Sequence, residues 1–478
     1  MREQNQGRLP LSTKIGFGVG DIFGGGAMMI IGFYYLYFLT DVVLLSPALA
    51  GTAFLVSKVW DAVTDPIMGV ISDRTRTRFG RRRPYFLAGI VLIFLSFFAM
   101  WYPVDFDKEM HRFAYILVAY VFFSSVITMV MIPYNALVPE LTPDYNERTS
   151  LTTYRIFFSG LSSLLCAVVP FEIVKAFKPD VSTGFVVMAV AFGLFFALPF
   201  IATFLTTRER PEFQKDAMPF DLKRSFIDPF RTPTFIPVLF MYVCTFVAMD
   251  MVMSIVIYFM TYYMGKGDQT DYVLGVLLVA QLAVIPLYYL FSKRTSKKAA
   301  FITGVVIWIC SMGFSFVIGP DSPAYILYLF GGLVGVGTGG VVIMIYSIFP
   351  DIPDVDELYW GSRREGVYSG MFMFMRKLSS ALGIFIVSNI IQWAGYRAPV
   401  EGMPQEQTGA FILVLRVVFA GLPVVLLLFA LTSAAFYRLT PALHQRIKEL
   451  LEKRRGTARP TADISAEEGD LRRVLTRR

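Results

Sequence analysis

The sequence predicts an all-α polytopic membrane protein with twelve transmembrane helices. Of its 478 residues, 55% are apolar and only 17% are charged, and the mean hydropathy is +0.57. This composition is too apolar for a soluble enzyme. Apolar windows of about 20 residues, the length that a helix needs to cross ~30 Å of hydrocarbon, recur along the chain. We place the spans at 15–40, 47–72, 84–103, 113–138, 151–175, 183–206, 235–263, 271–291, 299–318, 323–349, 366–394 and 409–437.

The distribution of lysine and arginine predicts how the chain is oriented. These residues concentrate in the N-terminal segment and in the connections 73–83, 140–150, 207–234, 292–298 and 350–365. By the positive-inside rule both termini are cytoplasmic, and we expect a multi-pass protein of the plasma (inner) membrane. The same loops account for the net charge of +8 without a nucleic-acid-binding surface. The connections on the other side contain only Lys108, Arg112, Lys175, Lys178, Lys266 and Arg397.

The longest polar break inside the chain, 207–234, divides the spans six and six. We therefore predict an N-terminal six-helix bundle at 1–206, a cytoplasmic central loop at 207–234, a C-terminal six-helix bundle at 235–437 and a cytoplasmic tail at 438–478. Two pseudo-symmetric halves with a substrate between them are the major facilitator architecture. The tail is expected to begin with a basic amphipathic helix at the lipid headgroups and to continue as a disordered segment.

The second span contains three ionisable residues, Lys58, Asp61 and Asp65. On a helix they lie within roughly 60° of one another and share one face. Each charge at bilayer depth costs at least ~2.5–3.5 kcal/mol, so this face points into the bundle. Two carboxylates offer oxygens to one monovalent cation, Lys58 offsets part of their charge, and Pro66 frees the carbonyl group of Ala62. The alternative is an interhelical salt-bridge cluster that only stiffens the bundle.

Two further ionisable residues lie in the first and fifth spans. Asp21 is flanked by glycines that leave room for a ligand, and Arg155 offers a planar fork to a hydroxyl-rich or anionic ligand. Alternatively, Asp21 pairs with Arg155 or Lys58, or Arg155 extends to the headgroups. Thr128 and Asn135, in the fourth span, are either ligand contacts or interhelical hydrogen-bonding residues.

Charged residues in the second half and in the cytoplasmic loops are candidates for charge balance or gating. Lys377, next to Arg376, and Asp250 lie inside spans, where a Lys–Asp pair would lower the cost of both charges. Asp73 is placed to pair with an arginine of its loop as a gate. The loop 351–365 is a plausible acidic counterpart that also contains Arg364.

Enzymatic chemistry is disfavoured by the residue inventory. The two histidines, His111 and His444, lie in a predicted outer loop and in the tail, where they cannot form an acid–base or metal cluster. Asp61 and Asp65 lie on one helix, whereas the members of an aspartyl dyad normally come from separate elements. We therefore expect no enzyme activity, no cofactor and no metal centre beyond a possible Na⁺ at Asp61 and Asp65.

The chain resembles the glycoside–pentoside–hexuronide:cation symporters, the melibiose permease group of the major facilitator superfamily. The resemblance implies a carrier that takes up a sugar or glycoside-like solute by alternating access, driven by Na⁺, Li⁺ or H⁺, and we expect it to be a monomer. It assigns Asp61, Asp65 and Thr128 to the cation, Asp21 and Arg155 to the sugar, and Lys377 to the far wall. The motifs that carry it are Gly18-x-Gly20-Asp21, Trp60-Asp61-Ala62-x-x-Asp65-Pro66-x-x-Gly69, Arg74-Thr75-Arg76-x-Arg78-x-Gly80-Arg81, Ile132-Pro133-Tyr134, Tyr154-Arg155 and Arg364-Glu365-Gly366.

Some positions depart from that family pattern. Met131 replaces a fourth-span aspartate, which removes one expected cation ligand, and Asn135 and Val342 replace aromatic residues expected to pack on the sugar. The alternative functions are a carrier of lysophospholipids or other amphiphiles, for which a methionine-lined cavity would suit an acyl chain, an uncoupled uniporter, and a non-transporting membrane receptor. The expected partners are a small solute, a coupling cation and membrane lipid.

Overall fold

The computed structural model describes residues 9–142, 144–209, 228–360, 365–400, 405–455 and 462–476, and these residues are overwhelmingly helical. Within those ranges, eleven helices are long and apolar enough to cross a membrane. The second predicted span forms the 28-residue helix Pro47–Arg74, which has the length to cross but is not among the eleven. It is the helix that contains Lys58, Asp61 and Asp65. The prediction of an all-α polytopic membrane protein is confirmed, and the expected count of twelve spans fits this result.

The first span is interrupted, whereas most of the next five are single helices. Its α-helical segments end in two π-helical turns, and Pro199 begins a new helix inside the sixth span. The bounds for the first six spans are Leu11–Gly18, Asp21–Ile30, Ile31–Tyr35 and Phe38–Val42; Pro47–Arg74; Arg83–Met100; Glu109–Leu141; Tyr145–Ala176; and Val181–Ala197 with Pro199–Thr206.

The later spans form helices of similar length. The seventh and twelfth spans also contain π-helical turns, and a short helix follows the tenth span. The bounds are Phe235–Tyr258 with Phe259–Tyr263; Thr270–Arg294; Lys297–Phe314; Ala324–Ile348, followed by Asp351–Trp360; Glu365–Trp393; and Gly409–Arg416, Val417–Gly421 and Leu422–Phe436.

The helices pack into two compact units. Unit 1 comprises Met1–Met218, Met253–Gly275 and Ala381–Leu415, and unit 2 comprises Pro219–Val252, Val276–Ser380 and Arg416–Arg478. Three long helices therefore contribute to both units. This division into units does not test the predicted six-helix halves at 1–206 and 235–437, which stay a prediction.

Unit 1 has an aromatic core. The ring of Trp101 is fully buried and lies parallel to that of Phe185 at 5.9 Å, and Tyr35 meets Trp101 edge to face at 5.0 Å. Phe23 and Phe97 both contact Phe196. Aromatic pairs of this kind add ~0.5–1.5 kcal/mol each beyond the burial of their area, so they hold the first span, which bears Asp21, against the third and sixth spans.

Unit 2 contains a close helix pair in which glycine replaces side chains at the contact. A Cβ atom at Gly337, on Ala324–Ile348, would lie 2.7 Å from the backbone nitrogen of Trp308, on Lys297–Phe314. A Cβ atom at Gly304 would lie 2.9 Å from the backbone nitrogen of Val341. Small residues at such contacts let backbones approach closely, as is typical of helices within membranes.

The C-terminal tail differs from what the sequence predicts. The basic helix forms at Pro441–Arg455, but Leu443, Ile447, Leu450 and Leu451 are buried within the protein, so this apolar stripe is not available to lipid. Part of the segment expected to be disordered forms a second helix, Ala462–Thr476. Its Arg472 donates to the backbone carbonyl of Leu358 at 2.8 Å. Packing against protein stabilises a helix that composition alone does not favour.

Candidate functional site

The ionisable residues of the second span form a partly neutralised cluster in unit 1. Lys58 Nζ lies 3.1 Å from Asp61 Oδ2, three residues along the same helix. The Asp61 side chain is only 1% exposed, whereas Lys58 is partly exposed and lies 6.0 Å from the ring centroid of Tyr120. The pair removes much of the cost of burying a lone carboxylate.

Asp65 is linked to the fourth span. The hydroxyl of Thr128 donates to Asp65 Oδ1 at 2.7 Å, and Thr128 itself is buried. The same two helices also meet at the Ser57 and Ser124 hydroxyls, 2.8 Å apart. The structure therefore places Asp65 and Thr128 in contact, with Asp61 one turn away on the same helix; these are the three residues that the resemblance assigns to a cation. Their role as cation ligands stays a prediction.

Asp21 and Arg155 form an ion pair between the first and fifth spans. Arg155 Nε lies 3.2 Å from Asp21 Oδ2, and the guanidinium lies 5.4 Å from the ring centroid of Tyr134. The Tyr134 ring stacks on Phe17, and its hydroxyl donates to the Phe17 carbonyl at 2.6 Å. Arg155 thus packs inside the bundle and pairs with Asp21, as one of the alternatives predicted. Asp21 Oδ1 is buried and accepts no hydrogen bond from the described residues.

The fourth span also presents Met131 and Asn135. A Cβ atom on Gly24 would lie 2.6 Å from Met131 Cε and 2.8 Å from Asp21 Oδ1, so the methionine methyl packs into the space that this glycine leaves beside Asp21. The Met131 side chain therefore gives the site an apolar wall where the family pattern has a carboxylate. Asn135 Oδ1 is buried and has no hydrogen-bond partner among the described residues, which makes the amide available to a ligand.

In unit 2, Asp250 is held by Arg376. Arg376 Nη2 donates to Asp250 Oδ1 at 2.9 Å, Nη1 donates to Oδ2, and the guanidinium lies 4.8 Å from the ring centroid of Phe246. The sequence analysis considered an ion pair between Lys377 and Asp250 and named Arg376 only as the neighbour of Lys377. The planar arginine fork matches a carboxylate with two parallel bonds, which a lysine cannot do. The place of Lys377 in the far wall stays a prediction.

The loop after the second span, predicted to be cytoplasmic, forms a dense polar cluster in unit 1. Asp73 pairs with Arg82, and Glu140 Oε1 accepts from Arg81 Nη2 at 2.7 Å and from Arg82 Nε at 3.1 Å. The carboxylate of Glu209 accepts from the backbone N–H groups of Arg81, Arg82 and Arg83 at 2.7, 2.7 and 3.0 Å. Glu209 thus satisfies the free amides at the start of Arg83–Met100. The use of Asp73 as a gate stays a prediction.

The predicted acidic loop is largely the helix Asp351–Trp360 of unit 2. Asp351 pairs with Lys297 at 2.6 Å, Asp354 lies 2.9 Å from His444 Nε2, and Asp356 accepts from the Tyr368 hydroxyl at 2.6 Å. These acids hold the helix and the tail in place. Arg364, named with them in the sequence analysis, lies outside the described residues.

Sequence reasoning missed Asp41, at the end of the first span. This buried carboxylate accepts hydrogen bonds from the hydroxyls of Thr40 at 2.6 Å, Tyr396 at 2.7 Å and Tyr262. Tyr258 also contacts Thr40. We call Thr40, Asp41, Tyr258, Tyr262 and Tyr396 the Asp41 cluster; all five belong to unit 1. The available signal was an acid directly after an apolar run, where a loop residue is the ordinary interpretation.

Helices long enough to cross a membrane, with paired charges kept inside the bundle, define a polytopic membrane protein. The solved inward-open structure of the xylose transporter XylE from Escherichia coli matches 87% of this chain and 94% of its own, with a TM-score of 0.60 at 14% identity. At that identity the likeness shows the fold alone, which is the major facilitator fold.

The family follows from the sequence comparison. Residues 16–441 match the family described as MFS/sugar transport protein, and the chain belongs to that family. The isoprimeverose transporter of Lactiplantibacillus pentosus is 26% identical over 82% of this chain and 82% of its own. The chicken sodium-dependent lysophosphatidylcholine symporter 1 is 23% identical over 98% of this chain and 94% of its own. The predicted family resemblance is confirmed, and the interpretation as a non-transporting receptor is set aside.

Proposed function

We propose that this protein is a symporter that couples the uptake of a sugar or glycoside-like solute to one monovalent cation, by alternating access. The observation that carries the proposal is the cluster of Asp61, Asp65 and Thr128 beside the partly exposed Lys58, in the helix with the most intramembrane charge. The names of similar proteins, which include a sugar transporter and a sodium-dependent symporter, support the same class of function.

The charges in the second span suit a single cation. Lys58, Asp61 and Asp65 together carry one net negative charge when all three are ionised, and one Na⁺, Li⁺ or H⁺ balances it. Carboxylate and hydroxyl oxygens are the ligands that hard cations prefer. Binding the cation neutralises the net negative charge of these three residues in a low-dielectric site, so it favours any state in which that site is closed to water. By linkage, the solute and the cation then strengthen the binding of each other.

The Asp21–Arg155 pair suits a sugar. The carboxylate accepts hydrogen bonds from hydroxyl groups and the guanidinium donates them, so neighbouring sugar hydroxyls satisfy both partners at once. Asn135 adds an amide with an unused acceptor, and the ring of Tyr134 and the methyl group of Met131 supply apolar surface. Lys377, in unit 2, is a proposed substrate residue on the family resemblance alone.

Alternating access requires a contact that closes the outer side of the protein and breaks when that side opens. We assign this role to the Asp41 cluster. It joins the end of the first span to the seventh span and to Tyr396, which follows the eleventh span. With both termini in the cytoplasm, as the distribution of lysine and arginine supports, the cluster lies on the outer side of the plasma (inner) membrane. Opening to the outside then requires water to replace its hydroxyl donors.

A thermal-stability screen of the purified protein tests the proposal. The panel contains mono- and disaccharides, glycosides and lysophosphatidylcholine, each with and without Na⁺ or Li⁺ and at several pH values. A ligand at 100 times its dissociation constant stabilises the native state by ~2.7 kcal/mol, so binding raises the melting temperature. We expect a sugar to do so, and to do so more strongly with its coupling cation.

Other outcomes would contradict parts of the proposal. A shift with lysophosphatidylcholine alone would make the protein an amphiphile carrier, and a sugar shift that no cation or pH change alters would make it a uniporter. No resident cofactor enters the mechanism. We also propose that the protein is a monomer; a mass above one chain plus its detergent, measured by light scattering on active protein, would contradict this.

A further inference from the structure

A cleft of about 370 Å³ lies at the cytoplasmic end of unit 2, apart from the proposed transport residues. It is bounded by the end of the eighth span, the start of the ninth, the end of the twelfth and the first tail helix. Small-molecule sites have volumes of about 300–1,000 Å³, so the cleft is large enough for a compact ligand. The lining residues that matter here are Lys293, Lys297, Lys298, Tyr437 and His444.

The charge of the cleft favours an anion. Lys297 is neutralised by Asp351, whose two oxygens lie 2.8 and 2.6 Å from its Nζ. Lys298 has two backbone carbonyls as partners, those of Ala435 at 3.1 Å and Tyr437 at 2.9 Å. Lys293 is exposed and lies 4.4 Å from the ring centroid of Tyr289. Among the described residues no carboxylate pairs with Lys293 or Lys298, so two of the three lysines that line the cleft are not neutralised by an acid.

Backbone donors add to this charge. The helix Lys297–Phe314 begins at the cleft, and the Ser296 side chain accepts from Ala299 N at 3.0 Å. The tail helix begins there too, where Thr440 accepts from Leu443 N at 3.2 Å. The first amides of a helix have no intrahelical acceptor, so the amides of Lys297 and Lys298 supplement the two ammonium groups.

The surroundings of the cleft favour a lipid as the source of the anion. Leu287 and Leu290, on the last turns of the eighth span, are 63% and 55% exposed, and Phe436, at the end of the twelfth span, is 65% exposed. On a helix that crosses a membrane, such side chains face acyl chains. A headgroup in the cleft would therefore have its own acyl chains on the adjacent apolar surface.

We propose that this cleft binds the phosphate group of an anionic phospholipid from the cytoplasmic leaflet, with Lys293 and Lys298 as its charged contacts. The shared chemistry is a phosphate anion, and the lipid is its source rather than free phosphate. Basic pockets between helices on the cytoplasmic side are suited to such headgroups.

Native mass spectrometry of the delipidated full-length protein tests the proposal. Dioleoylphosphatidylglycerol and dioleoylphosphatidylcholine are titrated separately onto the wild type and onto the variants Lys293→Gln and Lys298→Gln. We expect the wild type to bind the anionic lipid more tightly, and each substitution to weaken that binding about fivefold, the effect of one lysine near an anionic headgroup. Lys448→Gln, on the exposed face of the first tail helix, is the matched control and should bind like the wild type.

Each alternative result is decisive. Unchanged binding of phosphatidylglycerol to both variants would overturn the site. Lys293→Gln keeps the test valid if Lys298→Gln does not fold, since Lys293 has no bond to the backbone of the twelfth span. Inorganic phosphate is titrated in parallel with melting temperature as the readout. If it stabilises the wild type as much as phosphatidylglycerol, and this is lost in Lys293→Gln, the ligand is free phosphate and the lipid assignment is wrong.

Discussion

Arg155 is held by protein contacts and still has hydrogen-bond donors for a ligand. It pairs with Asp21, lies over the ring of Tyr134 and remains partly exposed, so one face of the guanidinium is committed to protein while donors remain for a ligand. Arginine serves here because its donors are fixed in a plane, whereas a lysine ammonium is a point charge.

Replacing Arg155 by lysine is therefore expected to weaken solute binding while the fold survives. Losing one hydrogen bond to a charged group costs about 1.5–3 kcal/mol, so the half-saturation constant for solute should rise about tenfold or more. Equilibrium binding of the solute found in the stability screen measures this effect. Lys175→Arg, at the end of the same helix, is the control for a lysine–arginine exchange. Unaltered affinity in Arg155→Lys would remove the residue from the solute site.

Thr128 offers a second test at the scale of one residue. Its hydroxyl donates to Asp65, and Thr128→Val keeps the shape of the side chain while removing that hydrogen bond. If Thr128 is also a cation ligand, the cation concentration that gives half-maximal stimulation of uptake should rise several-fold. Ser124→Ala, one turn away and bonded to Ser57, is the matched control. An equal effect of both substitutions would point to helix packing instead of cation binding.

At the scale of elements, the start of the third-span helix depends on a carboxylate from the end of the sixth span. Gly80 has φ of +107°, and a Cβ atom there would lie 2.5 Å from Glu209 Oε1. Gly80→Ala should therefore lower the melting temperature, because a strained backbone alone costs about 1–3 kcal/mol. Gly160→Ala, in a helix with open space around it, should leave the melting temperature unchanged or raise it. Equal melting temperatures for the two variants would contradict the capping role.

The Asp41 cluster holds the end of the first span by hydrogen bonds to one carboxylate, which accepts from Thr40, Tyr262 and Tyr396. Asp41→Asn keeps the shape of this side chain but makes it a neutral amide, and hydrogen bonds to a neutral acceptor are weaker than those to a carboxylate. The amide nitrogen is a donor, so it accepts none of the hydroxyl protons. The open form should therefore be more populated in Asp41→Asn than in the wild type.

Spin labels at the exposed Tyr102 and Val400, in a variant without the three native cysteines, report the opening by their separation. The long-distance population should be larger in Asp41→Asn than in the otherwise wild-type chain. Equal populations in the two chains would remove the Asp41 cluster from the opening.

The same elements illustrate what the sequence predicts well. Apolar windows located the spans closely, because burial in lipid requires a continuous apolar run and a helix. Thr128 was assigned to the same cation as Asp65 on family resemblance, and the structure places these two residues in hydrogen-bond contact. The tail was less predictable. Leu471 and Leu475 have the i, i+4 spacing of a buried stripe, but that stripe needs the rest of unit 2 to pack against.

At the scale of the whole molecule, the missed features involve residues far apart in sequence. The adjacent cations Arg376 and Lys377 both lie in the eleventh span, and either could pair with Asp250. The rotation of that helix about its axis determines that Arg376 contacts Asp250. The proposed role of Asp41 depends on its hydrogen bonds from Tyr262 and Tyr396, which are more than two hundred residues away in the sequence. Such partners depend on tertiary packing, on which local periodicity carries no information.

The central claim is that a cation bound at Asp61 and Asp65 drives solute accumulation. Its most direct test is uptake of the identified solute into proteoliposomes with an imposed inward gradient of Na⁺, Li⁺ or H⁺. The wild type and the exposed control Asp107→Asn should concentrate the solute when the coupling cation has a gradient. Asp65→Asn should only equilibrate it, because the carboxylate that binds the cation is gone. Accumulation by Asp65→Asn equal to that of the control would contradict the claim.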